Sequence, residues 1–485
     1  MILLLLACGP RTPLPEVLPG QLTILHTNDL HGHYLAEDGV GGFALLDAYA
    51  DAHKASGPVL MLDGGDLLSG TPLTDLEIRG AQGGAMLQLL EAVGYDAWTL
   101  GNHEFDKGQE NAQALVKASE TPVLNANLRR GSEPALEGLL PHVVLETNGL
   151  KVGVIGLVTE ALDRMVARRM VEGITVEASS TAVRREMEAM GEVDLVVVLS
   201  HIGVEDDRRL AAEVEGIDLI VGGHSHTFLE AEQVGGTWIV QAGEYSKVLG
   251  VTELIVQDGE ITRFSDRLVP LRADSAPGEA SPEVLDLVEL YDGHIRETFD
   301  APLGTATAPM TRIYGGQSTL GSWATGMLKE TTGADLAIYN SGGLRGDIPE
   351  GTVTRRTLYQ VFPFGNQVVT FEISGEELTA LLLSNCFREL EGRSWLQMGG
   401  VEVIWRVRLD SPELVKATVN GQPLDPGATY TVATNSFVLD QAPRMLPMLT
   451  PSNVQELDFT VLDSAVWAVE RGPISPGDTD NYVRR

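Results

Sequence analysis

Five apolar runs in this chain stop at side chains able to bind a metal ion or move a proton. Residues 22–27 lead into Asn28-Asp29-Leu30-His31, residues 58–62 into Asp63-Gly64-Gly65-Asp66, and residues 97–100 into Gly101-Asn102-His103-Glu104-Phe105-Asp106. Residues 194–199 lead into Ser200-His201, and residues 218–221 into Gly222-Gly223-His224-Ser225-His226. Asp29, His31, Asp66, Asn102, His201, His224 and His226 thus offer seven carboxylate, amide or imidazole donors. Seven donors suit two divalent cations with one carboxylate shared. Oxygen and neutral imidazole without cysteine favour Zn, Mn or Fe. In extended backbone, positions i and i+2 face one side, so Asp29 with His31, and His224 with His226, are each expected to face one ion. His33 is a further candidate. A lone histidine is usually a packed or solvated one. Five of the ten histidines at such run ends is a pattern that argues for a centre.

Two divalent ions about 3.5–4 Å apart supply a nucleophile from water and neutralise charge on a phosphoryl group during in-line attack. His103 follows Asn102, and neighbours on an extended chain point apart. It is therefore placed to hydrogen-bond the phosphoryl group or to protonate a leaving oxygen, with Asp106 orienting it and holding it cationic. A spare metal ligand is its competing role.

Elements must bring these run ends together. Apolar runs alternating with helical stretches (residues 39–56, 80–93 and 205–214) predict an α/β unit with a buried sheet. In such units functional groups collect beyond the carboxyl ends of the strands. Residues 271–282 read as a linker, and 283–299 as one amphipathic helix, either a hinge arm or an ordinary packed helix. From residue 301 the pattern is α+β: helices over 318–330 and 375–386, the latter opened by Ser374, and strands over 335–340, 368–373, 401–407 and 430–435.

The 485 residues suit two or three domains, and the net charge of -34 excludes nucleic acid or an anionic membrane surface as a partner. An anionic small-molecule substrate would need positive charge supplied locally. Only Cys8 and Cys386 are present, so a disulfide framework is excluded. Leu5-Leu6-Ala7-Cys8 follows a short apolar stretch and reads as a bacterial lipoprotein cleavage box, with residues 9–20 as a proline-rich tether. The expectation is an extracytoplasmic protein held to the membrane only by lipid on Cys8.

These motifs resemble the calcineurin-like metallophosphoesterase signature and, more narrowly, the 5′-nucleotidase family, which includes bacterial periplasmic UDP-sugar hydrolases. The resemblance implies a four-layered α/β/β/α phosphoesterase domain over residues 21–270, a linker and bridging helix over 271–300, and a smaller α+β substrate-recognition domain over 301–485. It implies two divalent ions, one on Asp29, His31, Asp66 and His226, the other on Asp66, Asn102, His201 and His224. His103 and Asp106 would form the catalytic dyad. Asn340 and Arg345, in Asn340-Ser-Gly-Gly-Leu-Arg345, would contact substrate, and Phe364 and Phe437 would sandwich a nucleobase; either phenylalanine also reads as core. Two features of the family pattern are missing. Its second phosphate arginine is absent near Tyr314–Trp323 unless Arg312 replaces it, and its Gly-Gly-Asp-Gly is replaced by Val438-Leu-Asp-Gln-Ala-Pro443. The implied activity is hydrolysis of nucleoside 5′-phosphates. A UDP-sugar, a cyclic nucleotide or a sulfur ester is the alternative substrate, and a tethered non-catalytic binding protein the alternative function.

Overall fold

The computed structural model describes residues 17–393 and 395–484. Cys8 and the first part of the tether lie outside the described residues. The chain opens with four parallel strands, β1 (Gln21–Thr27), β2 (Val59–Asp63), β3 (Ala97–Thr99) and β4 (Val123–Leu124). Helices α1 (Phe43–Lys54), α2 (Gly84–Val93) and α3 (Gln109–Ala118) connect them. A second sheet follows: β5 (His142–Thr147), β6 (Leu150–Val158), β7 (Leu195–His201), β8 (Leu219–Gly222), β9 (Phe228–Val234) and β10 (Thr237–Ala242). Its helices are α4 (Ser179–Met190) and α5 (Val204–Glu213). The chain then returns to the first sheet with the hairpin β11 (Val248–Gln257) and β12 (Glu260–Pro270). The sheet orders are β12-β11-β1-β2-β3-β4 and β9-β10-β8-β7-β6-β5.

Side-chain alternation explains the layering. On β1, Leu22 and Ile24 point into a core shared with Val197 and Leu199 of β7, whereas Leu25 packs with Phe43, Leu89 and Trp98 on the opposite face. On β7, Val198 packs outward with Val183 of α4 and Leu210 of α5. Each sheet is therefore buried on both faces, which is why its strands read as unbroken apolar runs. Helix, sheet, sheet and helix follow in that order, as expected.

Helix α6 (Pro282–Phe299) is capped by Ser281 and buries Val284, Tyr291 and Ile295. It packs on α1 and α2, so it is a docked helix of the first unit rather than a free arm. The second unit has α7 (Thr319–Thr332), β13 (Leu336–Asn340), β14 (Gln367–Ser374), α8 (Gly375–Leu390), β15 (Leu396–Gly399), β16 (Thr429–Asn435), α9 (Ser436–Asp440), β17 (Ser452–Thr460) and α10 (Val461–Glu470). Its central sheet runs β15-β13-β16-β14-β17, with separate apolar cores on its two sides. Ser374 caps α8 through a reciprocal bond with Glu377, as its sequence indicated.

Candidate active site

The parallel strands place their carboxyl ends on one side of the first unit, and the ligand-type residues lie there. Two glycines let separate loops touch. Gly65 has φ +88, and a Cβ on it would lie 2.8 Å from the Gly101 nitrogen; a Cβ on Gly101 would lie 2.1 Å from Asp66 Oδ1. The β2 and β3 loops therefore meet backbone to backbone, with Asp66 between them.

Asp66 is buried at the centre. Its Oδ2 lies 3.0 Å from His201 Nε2 and 3.9 Å from both His31 Nε2 and His103 Nε2, while Oδ1 accepts from the His103 backbone N–H at 2.8 Å. Asp29 Oδ1 lies 3.3 Å from His226 Nε2 and 3.8 Å from His31 Nε2. Two clusters result, Asp29 with His31 and His226, and Asp66 with His201 and His224. Asp66 also groups with His31 and His103, which links the clusters.

The second nitrogen of several rings fixes the first. His31 Nδ1 faces the Leu68 and Ser69 carbonyls at 2.9 and 2.8 Å, so it donates, leaving the lone pair on Nε2. His201 Nδ1 donates to Gly64 O at 2.6 Å, and His226 Nδ1 is bonded to Glu244. Nε2 of His31 and Nε2 of His226 then confront each other at 3.2 Å. Two lone pairs at that distance repel, so either a proton on His226 or a cation must lie between them, and about 3.3 Å is the ligand spacing of a tetrahedral Zn site. Asp29 Oδ1, Asn102 Oδ1, His201 Nε2 and His224 Nδ1 are buried without a hydrogen-bond partner. Buried polar atoms are normally satisfied. Four orphaned acceptors from four different loops are what a cation centre requires, so the donor set fits divalent metal.

Electrostatics point the same way. Burial depresses His201, but Asp66 outweighs it and raises the ring to about 10. Burial likewise opposes His226, yet the Asp29 and Glu244 carboxylates beside it raise it to about 9. Burial, with the neighbouring His201, drops His224 to about 4. The carboxylates thus create a field that draws positive charge into a desolvated spot. At His103, burial works downward, and Asp106 and Asp66 more than offset it, so its pKa is raised. Its Nδ1 lies 2.6 Å from Asp106 Oδ2, and Ser69 Oγ donates to the same carboxylate.

All seven predicted ligand-type residues and the His103–Asp106 pair are therefore adjacent, but not for the reason the spacing suggested. Asp29, His31, Asp66, His224 and His226 have φ between 48° and 74°, so their backbone is left-handed, not extended. The i, i+2 rule fails most visibly at His224 and His226, which enter different clusters. Asn102 and His103 diverge in a 3-10 turn (His103–Phe105), again not in a strand. His33 stacks on Tyr245 at 4.2 Å rather than joining a cluster.

The second unit closes over this surface. A cavity of about 440 Å³ is lined by Asp66, Asn102, His103, Asp106, His224 and His226 on one side and by Asn340, Arg345, Phe364, Asn366 and Phe437 on the other. Asn340 Oδ1 accepts from Asn435, leaving its N–H donors for the cavity. Phe364 lies parallel to His103 with ring centroids 5.6 Å apart, and the Arg345 guanidinium sits 6.0 Å from the Phe364 ring. Phe437 lines the cavity and also packs on the second unit's core. Arg312 does not line it; its guanidinium donates to Leu344 O.

Two family models match the chain: calcineurin-like phosphoesterase over residues 22–228, and 5′-nucleotidase, C-terminal domain, over residues 302–450. The chain belongs to the 5′-nucleotidase family of calcineurin-like phosphoesterases. It is 26% identical over 480 residues to UshA of Yersinia enterocolitica, spanning 86% of this chain and 84% of that protein. A 5′-nucleotidase of Vibrio cholerae is 26% identical over 476 residues, with 86% and 84% covered. Among solved structures, a 5′-nucleotidase precursor from Thermus thermophilus superposes with TM-score 0.83 at 26% identity, covering 96% of this chain and 99% of that one. The sulfate thiohydrolase SoxB of the same organism has TM-score 0.77 at 19% identity, a likeness of fold alone. This family member is a phosphoester hydrolase.

Sequence reasoning passed over several residues. Glu104 is wholly buried, and its carboxylate accepts from the backbone N–H of Gly101 (2.7 Å), Asp66 (3.2 Å), Leu67 (2.8 Å) and Leu68 (3.2 Å). Burial and the charge of Asp66 raise it to about 7. A carboxylate set between His103 and Phe105, in a turn already crowded with polar groups, was no distinct sequence signal. Asn28 ties Asp29 Oδ2 to Gly243 O. The wall formed by residues 164–170 had no sequence signal.

Proposed function

We propose that this enzyme hydrolyses nucleoside 5′-phosphates with two divalent cations, one held by Asp29, His31, Asp66 and His226 and the other by Asp66, Asn102, His201 and His224. The observation that carries the reading is the convergence of orphaned Asp29, Asn102, His201 and His224 acceptors around a buried Asp66. When bound, such cations supply a nucleophile from water at neutral pH and neutralise charge on the phosphoryl oxygens.

The chain's own residues do the rest. Nδ1 of His103 is bonded to Asp106, which leaves Nε2–H turned toward the cavity as a donor to the phosphoryl group or as the acid for the leaving oxygen. The raised pKa of His103 keeps that proton available near neutrality. Arg345 supplies fixed positive charge on the side of the cavity that faces Phe364, within a protein of net charge -34. Asn340 donates to the substrate, and Phe364 and Phe437 offer aromatic faces to a planar base. Domain limits of 21–270, 271–300 and 301–485 follow from the same reading, with lipidation at Cys8 holding the protein outside the cytoplasm.

Chromatographic product analysis of a panel tests this, reading adenosine and phosphate from AMP, UMP and sugar 1-phosphate from a UDP-sugar, a nucleoside monophosphate from a cyclic nucleotide, and sulfate from a sulfur ester. The nucleoside 5′-phosphate is expected to give the highest kcat/KM. Binding without turnover of any ester would instead support a non-catalytic ligand-binding protein.

A further inference from the structure

One wall of the cavity comes from a segment without an assigned role. After β6 the chain forms a short helix (Leu162–Met165) and a 3-10 turn (Arg168–Val171), which lie against α9 and the residues after it. Gln441 Nε2 donates to the backbone oxygens of Asp163 (3.0 Å) and Val166 (2.8 Å), and Arg444 pairs with Asp163. From this pinned segment Arg169 enters the cavity lining beside Phe437 and Asn366.

Arg169 is anchored twice. Its Nη1 donates to Asp440 Oδ2 at 2.9 Å and its Nη2 to Ser436 Oγ at 3.4 Å. Ser436 Oγ in turn donates to Asn366 Oδ1 at 3.4 Å, so the guanidinium belongs to one polar chain running along the aromatic end of the cavity. Asp440 cancels its charge. The pair is therefore poorly suited to hold a second phosphate, which calls for an unpaired cation. What remains is geometry: a guanidinium carries five N–H donors and no acceptor, two are engaged, and the side chain is 43% exposed.

Resting on the nucleotide reading above, we propose that Arg169 is a specificity-determining residue that reads the edge of the base. It favours bases that present an exocyclic oxygen there, such as guanine (O6) and uracil (O4), over bases that present an exocyclic amino group in its place, such as adenine and cytosine. Arginine pairs with guanine O6 and N7 by this chemistry, and an amino group facing a donor-only side chain leaves both unpaired.

The test compares kcat/KM for GMP against AMP and for UMP against CMP. The expected preference is roughly tenfold for the oxo base in each pair. Arg169→Met brings both ratios close to one, chiefly by lowering GMP and UMP. Asp440→Asn, which removes the anchor, shrinks the ratios, and Arg169→Lys retains part of them. A wild-type enzyme indifferent to the base overturns the proposal. So does an Arg169→Met variant that lowers all four substrates by one factor, since that is the behaviour of a latch between the two units. If none of the four releases phosphate while another phosphoester does, the nucleotide reading itself falls, and this proposal with it.

Discussion

Asp66 is the side chain on which every assigned role converges, and its neighbours separate ligand from catalyst. His103 Nε2 is 3.9 Å from Asp66 Oδ2, near enough for the spare-ligand role, yet its Nδ1 is committed to Asp106. His103→Ala distinguishes the two. A dyad role predicts a fall in kcat of about 10²–10⁴ with metal content unchanged; loss of one metal equivalent by elemental analysis would make it a ligand. Glu104 acts at the same scale but through the backbone. A glutamine there can accept through one oxygen only, so some of its four N–H partners lose their acceptor. Glu104→Gln is expected to cost about 1–3 kcal/mol in chemical denaturation and to weaken metal affinity about 10–100-fold, the range seen for residues that orient ligands. Unchanged metal affinity would reduce Glu104 to a fold residue.

At the level of elements, the run ends were legible because buried strands write continuous apolar sequence, and a polar residue that stops such a run has to face something. That logic located β1, β2, β3, β7 and β8 and the groups after them. The local geometry was not legible. Five ligand-type residues adopt left-handed backbone that costs roughly 1–2 kcal/mol each, and no propensity announces a conformation that only the surrounding structure enforces. β5, partly exposed along its length, and α3, which buries only Ala112, Leu115 and Val116, escaped because neither carries enough large apolar residues to mark a core face. Helix α5 carries a further consequence. Burial raises Asp207 from its ordinary 3.8 to about 7, while Ser200 Oγ donates to it at 2.6 Å. The folded chain therefore binds a proton at Asp207 that the unfolded chain releases between about pH 4 and 7, and stability from this group falls as pH rises through that window. Asp207→Asn should flatten the slope of unfolding free energy against pH there and raise stability at pH 8 by roughly a few kcal/mol. A variant with the wild-type slope would show that Asp207 ionises freely.

At the scale of the whole molecule, two polar seams hold the units together. Arg356 reaches Asp300 (2.6 Å), Asp292 (3.3 Å) and Tyr34 (3.4 Å) beside α6. Residues 163–169 grip residues 436–444 on the far side through Gln441, Arg444 and Arg169. None of these long-range pairs was legible in sequence, because each joins surface residues that obey no period. Removing Gln441 and Arg444 together, each to alanine, should loosen the cavity wall. The expected result is a larger radius of gyration by X-ray scattering and a KM raised severalfold with little change in kcat. An unchanged profile and KM would show the seam to be incidental.

The most direct measurement is phosphate release from a nucleoside 5′-monophosphate by the metal-free chain from Gly20, titrated with a divalent cation. Turnover is predicted to be absent before addition, to saturate at two equivalents per chain, and to vanish in Asp66→Ala at every metal concentration. Turnover that survives chelation, or that saturates at one equivalent, would contradict the account.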